Sequence, residues 1–89
     1  MTTHTSHPGI IKRLKRAEGH LKSIIDMLEE ERSCLDIAQQ LQAVESAVSK
    51  AKKTLVHDHI DHCLEQQVRS DSSSAKNALK EFKEISKYL

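Results

Sequence analysis

The side chains best suited to chemistry are those of Cys34, His59 and Cys63, the first and last being the only two cysteines in the chain. His59 and Cys63 are four positions apart, so on a helix their side chains lie on one face. Two thiolates and one imidazole form a soft, three-coordinate ligand set, which favours Cu(I), whereas Zn(II) and square-planar Ni(II) each need a fourth ligand. The sequence therefore predicts a metal site with Cu(I) as the preferred ion.

The spacing of these ligands determines how such a site could be assembled. His59 follows Cys34 by 25 positions, and if one unbroken helix carries both, about 37 Å separates them. In an antiparallel dimer, Cys34 of one subunit would instead meet His59 and Cys63 of the other. We therefore expect two intersubunit sites per dimer. Candidates for a fourth ligand lie in the N-terminal segment, at His4 or His7, and beside the pair, at His57 or His62.

Each of these features also has an ordinary structural interpretation. A His-x3-Cys pair can occur on a helix without binding metal, and a cysteine near a helix start is usually a small buried hydrophobe. Clusters of lysine and arginine are usually solvated helix faces. Taken alone, the residues support an oligomeric helical protein with a candidate metal site.

Apolar residues in alternating steps of four and three predict the elements that position these side chains. A first helix of about 20 residues begins at Ile10, after a loose tail of residues 1–8 that ends near Pro8. A second, long helix follows the candidate N-cap Ser33. After a polar linker, residues 69–74, we expect a third and shorter helix with Ala78, Phe82 and Ile85 on one face. The fold class is all-α, with helices that are long, long and short.

Length and composition indicate that this subunit does not fold alone. The chain has 89 residues, 37% hydrophobic and 2% aromatic, which is close to the lower limit for a self-sufficient core. We expect one domain, residues 1–89, and a pair of helical hairpins forming an antiparallel four-helix bundle. Two cysteines are too few for a disulfide framework, and no signal-peptide or membrane-spanning pattern is present. These features predict a cytoplasmic protein with reduced thiols and no membrane partner.

Charge is unevenly distributed although the net charge is only +1. An acidic block occupies residues 29–31. Basic residues cluster in two places, which could form a basic face on a nearly neutral protein: Lys12, Arg13, Lys15 and Arg16, and then Lys50, Lys52 and Lys53.

Several motifs together resemble the CsoR/RcnR/FrmR family of transcriptional repressors, and in particular its copper-sensing CsoR members. The similarity runs from about Ile10 to Tyr88. It rests on Arg13-Leu-Lys-Arg-Ala-Glu-Gly-His-Leu21, Met27-Leu28, Ser33-Cys34-Leu-Asp-Ile37, Gln40-Leu-Gln-Ala-Val44 and Leu55-Val-His-Asp-His-Ile-Asp-His-Cys63.

The resemblance implies a disc-shaped homotetramer built from two four-helix dimers, which binds the operator DNA of a metal-efflux operon and releases it when Cu(I) binds. The family's copper ligands fall on Cys34, His59 and Cys63. A carboxylate that holds the ligating imidazole falls on Glu81, and a position often occupied by tyrosine is Ser33 here. The family's DNA-contacting residues map to Arg13 and Lys50, with Lys12, Arg16 and Lys53 as neighbours.

Other functions remain open at this point. A Ni(II) or Co(II) sensor of the same family would use a tail histidine as fourth ligand, although His4 is two positions from the family's site, which is Thr2 here. Sensing of formaldehyde or persulfide fits the ligand set less well. A copper-handling helical bundle that does not bind DNA would have no use for Arg13 and Lys50. An enzyme is not expected, because the sequence offers no catalytic acid–base set.

Overall fold

The computed structural model describes Ser6 to Arg69 and Ser72 to Leu89, without the side chains of residues 63–75 and 78. Three helices make up most of this part of the chain: α1, His7–Glu29; α2, Cys34–Arg69; and α3, Ser72–Ile85, which continues into a short 3-10 turn, Ser86–Tyr88. The described residues contain no strand. The prediction of an all-α subunit with long, long and short helices is confirmed. The described residues fall into two compact units. The first unit is His7–Ala51, and the second unit is Lys52–Leu89 together with Ser6.

Helix α1 begins three residues earlier than the apolar pattern predicted. It starts at His7 rather than Ile10 and so includes Pro8 and Gly9. Proline is tolerated in the first turn of a helix because its missing N–H would have no partner within the helix there. The pair Pro8-Gly9 therefore lies in the first turn of α1, so residues 7 and 8 do not belong to the expected tail, of which residues 1–5 lie outside the described part.

A four-residue turn, residues 30–33, joins α1 to α2. Glu31 adopts the left-handed conformation, with φ of 56°. Its N–H donates a hydrogen bond to the Leu28 carbonyl at 3.1 Å, and the Arg32 N–H donates one to the Met27 carbonyl at 3.0 Å. This pair of hydrogen bonds is the Schellman motif. Ser33 then caps α2, because its Oγ accepts a hydrogen bond from the Asp36 N–H at 3.1 Å. The predicted N-cap is confirmed.

The first unit packs α1 against α2 through a small apolar cluster. Its buried members are Ala17 and Ile24 from α1 and Ile37 and Val44 from α2, with Met27 packed against them. Within each helix these residues recur every seven positions, so they occupy one narrow line. Ile10 and Ala51 extend the two lines and are also buried.

The other half of each predicted apolar stripe remains exposed in the single chain. This exposed stripe also repeats every seven positions, and its members are between 40% and 57% exposed: Leu14, Leu21 and Leu28 on α1, and Leu41, Val48 and Leu55 on α2. An exposed apolar line beside a thin buried one agrees with the expectation that a hairpin does not enclose a core alone.

The second unit combines the C-terminal half of α2 with α3. Val56 is buried there, and Phe82 and Ile85 of α3 are half-buried, whereas the side chain of Ala78 is outside the described part. The Ser6 hydroxyl donates a hydrogen bond to Asp58 Oδ2 at 2.7 Å. Residues 72–74, predicted as linker, instead form the first turn of α3.

None of the helices in the described part of the chain is long and apolar enough to span a membrane.

Candidate metal and nucleic-acid sites

His59 and Glu81 form the best-defined part of the candidate metal site. His59 is on α2 and Glu81 on α3, and His59 Nε2 lies 3.5 Å from Glu81 Oε2. The imidazole is partly buried, with a 30% exposed side chain, and the carboxylate is 61% exposed. At this distance a small rotation of either side chain would bring the pair into the usual hydrogen-bonding range of about 2.7–3.2 Å. The contact leads us to assign Nδ1 as the ring nitrogen that would bind a metal.

A concave space of about 460 Å³ adjoins this pair. His59 and Glu81 form part of its wall, and the remaining lining residues come from the end of α3 and the turn that follows: Glu84, Ile85, Lys87 and Tyr88. The sequence analysis did not identify these four residues as part of the site. Helical spacing from Glu81 was the available signal for Glu84 and Ile85, because positions three and four residues along share a helix face. Lys87 and Tyr88 lie beyond the end of α3 and gave no such signal.

The two cysteines differ in what the structure shows of them. Cys34 is the first residue of α2, and its thiol is exposed. Cys63 lies four residues after His59 within α2, but its side chain is outside the described part, as is the whole of His4. Among the residues whose side chains are described, no three His, Cys, Asp or Glu side chains gather into a group that could hold a metal.

Helix α2 is continuous from Cys34 to Arg69. The condition that the sequence argument set for an intersubunit site, one unbroken helix carrying both Cys34 and His59, is therefore met. The donor set suits a soft ion, since it offers thiolate sulfur and an imidazole nitrogen together with an outer carboxylate.

A basic groove of about 600 Å³ lies between α1 and α2 in the first unit. Four of the five residues predicted to contact DNA line it: Lys12, Arg13, Arg16 and Lys50. The fifth, Lys53, is exposed but is not part of the lining. The fold thus brings two basic clusters, separated by over thirty positions in sequence, to one concave surface.

Small and neutral polar residues complete this basic groove. Ala17, Ala43, Ala47 and Gly9 line it together with Ser46 and His20. His20 Nε2 also donates a hydrogen bond to Gln40 Oε1, which fixes the orientation of the ring. Sequence reasoning missed these residues, because alanine, serine and glycine carry no charge signal and acquire a role only from their position between cationic side chains.

Comparison with known proteins gives consistent matches along the chain. Residues 6–88 match the family described as metal-sensitive transcriptional repressors. The copper-sensing transcriptional repressor CsoR of Mycobacterium ulcerans is 41% identical over 58 residues, which are 65% of this chain and 50% of that protein. The chain spans about half the length of this curated relative.

Two solved structures have similar folds over almost the whole chain. The nickel-responsive transcriptional regulator InrS superposes with a TM-score of 0.82 at 26% identity, covering 100% of this chain and 99% of that one. The copper-sensing repressor CsoR with Cu(I) from Geobacillus thermodenitrificans gives 0.80 at 31% identity, covering 98% and 88%.

Proposed function

Because the chain belongs to the family of metal-sensitive transcriptional repressors, which matches it from residue 6 to residue 88, we propose that it binds operator DNA in its metal-free form and releases it when Cu(I) binds. The family consists of repressors, not enzymes. The genes that the chain regulates would be those of metal efflux, and it would act in the cytoplasm. Copper is favoured over nickel by the soft ligand set and by the similarity to copper-sensing relatives.

Cys34, His59 and Cys63 are the proposed ligands, with Glu81 holding the imidazole. The contact between Glu81 and His59 Nε2 carries this part of the proposal, because an outer carboxylate fixes both the tautomer and the direction of a ligating imidazole. Bound Cu(I) would supply a soft acceptor for two thiolates and Nδ1. The site would join Cys34 of one subunit to His59 and Cys63 of another.

The exposed stripe supports the assembly that such a site requires. Six apolar side chains at seven-residue intervals, from Leu14 to Leu28 and from Leu41 to Leu55, are left open by the single chain. A second copy packed antiparallel would cover them as a four-helix bundle. Two such dimers would form the proposed homotetramer.

The structure of the first unit suggests how metal binding would reach the DNA. Cys34 is the first residue of α2, and the same helix supplies Lys50 to the basic groove. When Cys34 moves towards ligands of another subunit, the N-terminus of α2 moves with it, and one wall of the groove shifts against α1. A coupling free energy of about 1–3 kcal/mol would weaken operator binding about 5- to 150-fold.

A nickel- or cobalt-responsive repressor is the second candidate. One contact favours it in particular, the hydrogen bond from Ser6 to Asp58. This hydrogen bond holds Ser6, which is two residues after His4, beside Asp58, which directly precedes His59. A tail histidine in this region could supply the fourth ligand that Ni(II) requires.

Titration of the reduced protein tests both candidates. Its binding to fluorescently labelled upstream DNA is followed by anisotropy while Cu(I) or Ni(II) is added. We expect release at one Cu(I) per subunit and no response to nickel, and Cys34→Ala and His59→Ala should bind DNA but ignore copper. Release by nickel alone, abolished by His4→Ala, would support the second candidate instead. DNA binding with no response to either metal would contradict both.

Subunit mixing tests the intersubunit arrangement directly. Cys34→Ala and His59→Ala proteins are each expected to lack a complete site. In a heterodimer of the two, one of the two sites would take Cys34 and His59 from the chains that retain them. Random exchange makes half of the dimers heterodimers, so the mixed protein should recover about a quarter of the wild-type copper capacity. A mixture that exchanges subunits, as native mass spectrometry would show, but recovers no capacity would place all ligands within one chain.

A further inference from the structure

The shape of the basic groove, in addition to its charge, indicates how DNA would bind there. Its cationic side chains, Lys12, Arg13, Arg16 and Lys50, stand around small residues, of which Ala17 is buried and Ala47 half-buried. We infer that phosphates of one DNA strand enter the groove between α1 and α2, and that the small residues at Ala43 and Ala47 are required for their entry. This inference rests on the proposed function and specifies how that function's DNA surface works.

The length of the groove favours an extended polyanion over a small one. On α1 its lining runs from Gly9 to His20, which is about 16 Å along the helix axis. One strand of DNA advances about 3.4 Å per nucleotide along its axis and farther along its own winding path, so more than one consecutive phosphate fits within that length. A free phosphate would meet only part of the lining.

A neutral donor in the groove adds to the same interpretation. Phosphate oxygens in DNA complexes accept hydrogen bonds from serine hydroxyls and other neutral groups as well as from Arg and Lys. Ser46 places such a hydroxyl in the lining. Charge and neutral hydrogen bonding therefore converge on one concave surface.

Filling the groove without changing any charge tests the inference. Ala47→Leu adds three carbon atoms beside the groove, and leucine has nearly the same helix propensity as alanine. Ser23→Leu is the matched control, because Ser23 is exposed on α1 three positions beyond His20 and outside the lining. Apo proteins are compared for operator affinity at several salt concentrations, and for Cu(I) stoichiometry by chelator competition.

We expect Ala47→Leu to weaken DNA binding at least about tenfold and to lower the salt slope by about 0.9 for each phosphate excluded. Copper stoichiometry should be unchanged, and Ser23→Leu should match wild type in all respects. If Ala47→Leu binds operator DNA with wild-type affinity and a wild-type salt slope, the inference is overturned, and DNA would bind to an exposed surface through charge alone. A wild-type protein that binds no upstream DNA would instead overturn the proposed function itself.

Two further measurements keep the result interpretable. Ala43 is exposed, so Ala43→Leu provides a second filled groove with less risk to packing, and size-exclusion elution and thermal unfolding report whether either variant still assembles. Inorganic pyrophosphate is added as a competitor. Tight binding of pyrophosphate at micromolar concentration that leaves DNA affinity unchanged at matched ionic strength would show that the groove takes a small anion and would overturn the DNA assignment.

Discussion

His59 faces the Glu81 carboxylate through one ring nitrogen, and this contact determines which nitrogen a metal would use. The spacing of His59 and Cys63 predicts only that they share a helix face. Glu81 lies 22 positions beyond His59 on another helix, so periodicity contains no information about their pairing, and family resemblance alone suggested it. The contact supports the predicted role of Glu81, which remains a proposal until it is tested.

Glu81→Gln isolates the charge of that carboxylate at almost constant shape. An amide still accepts a hydrogen bond but stabilises a metal-bound imidazole less than a carboxylate does. We expect one Cu(I) per subunit to bind as before, with release of DNA weakened by at least about 1 kcal/mol of coupling. The measurement is operator affinity with and without saturating Cu(I).

Glu84→Gln is the control for Glu81→Gln, because Glu84 lines the same cavity beside the His59–Glu81 pair. It should leave the copper response unchanged. If both substitutions reduce the response equally, the general negative charge of the cavity matters and the specific contact with His59 does not.

Helix ends were predictable where a side chain makes the cap and not where the backbone makes it. Ser33 could be recognised because a serine before an apolar period is a typical N-cap. The turn at Glu31 could not, since glycine or asparagine usually occupies that left-handed position. The start of α1 was misplaced for a similar reason: Pro8 was interpreted as a helix boundary, although proline also suits a first turn.

The strained turn between α1 and α2 makes Glu31→Gly a stabilising substitution. The left-handed conformation costs a non-glycine residue about 1–2 kcal/mol, while glycine adds about 0.5–1 kcal/mol of entropy to the unfolded chain. We expect a net gain of about 0.5–1 kcal/mol in the free energy of unfolding, measured by urea titration at fixed protein concentration. Glu29→Gly, within the last turn of α1, should have the opposite sign. Equal effects at both positions would contradict the explanation.

At the scale of the whole molecule, the sequence predicted apolar stripes but not which of their residues are buried within one chain and which are exposed. Residues 10, 14, 17, 21, 24 and 28 read as one stripe, because a period of 3.5 merges two lines that each repeat every seven positions. The structure separates them by burial: Ala17 and Ile24 are buried within the chain, whereas Leu14 and Leu21 are exposed. Assembly into dimers and a tetramer remains a prediction, since it depends on surfaces that only a second copy would cover.

Leu21→Glu tests whether the exposed stripe is a subunit interface. Each dimer would lose two buried leucines, each worth about 1.5–3 kcal/mol, so the dissociation constant should rise at least about a hundredfold. Sedimentation over a range of protein concentrations measures it. Ser23→Glu adds the same charge two positions away and should assemble normally. An unchanged association constant for Leu21→Glu would exclude α1 from the interface.

The thin buried line of the single chain has a consequence for the supply of this protein in a cell. With a core made largely of alanine, valine and isoleucine, a newly synthesised chain would be marginally stable until it meets a copy of itself. Proteases would remove unpaired chains faster than assembled ones. The steady-state amount of protein would then rise more steeply than its rate of synthesis, and a small increase in expression would change occupancy of the target DNA disproportionately.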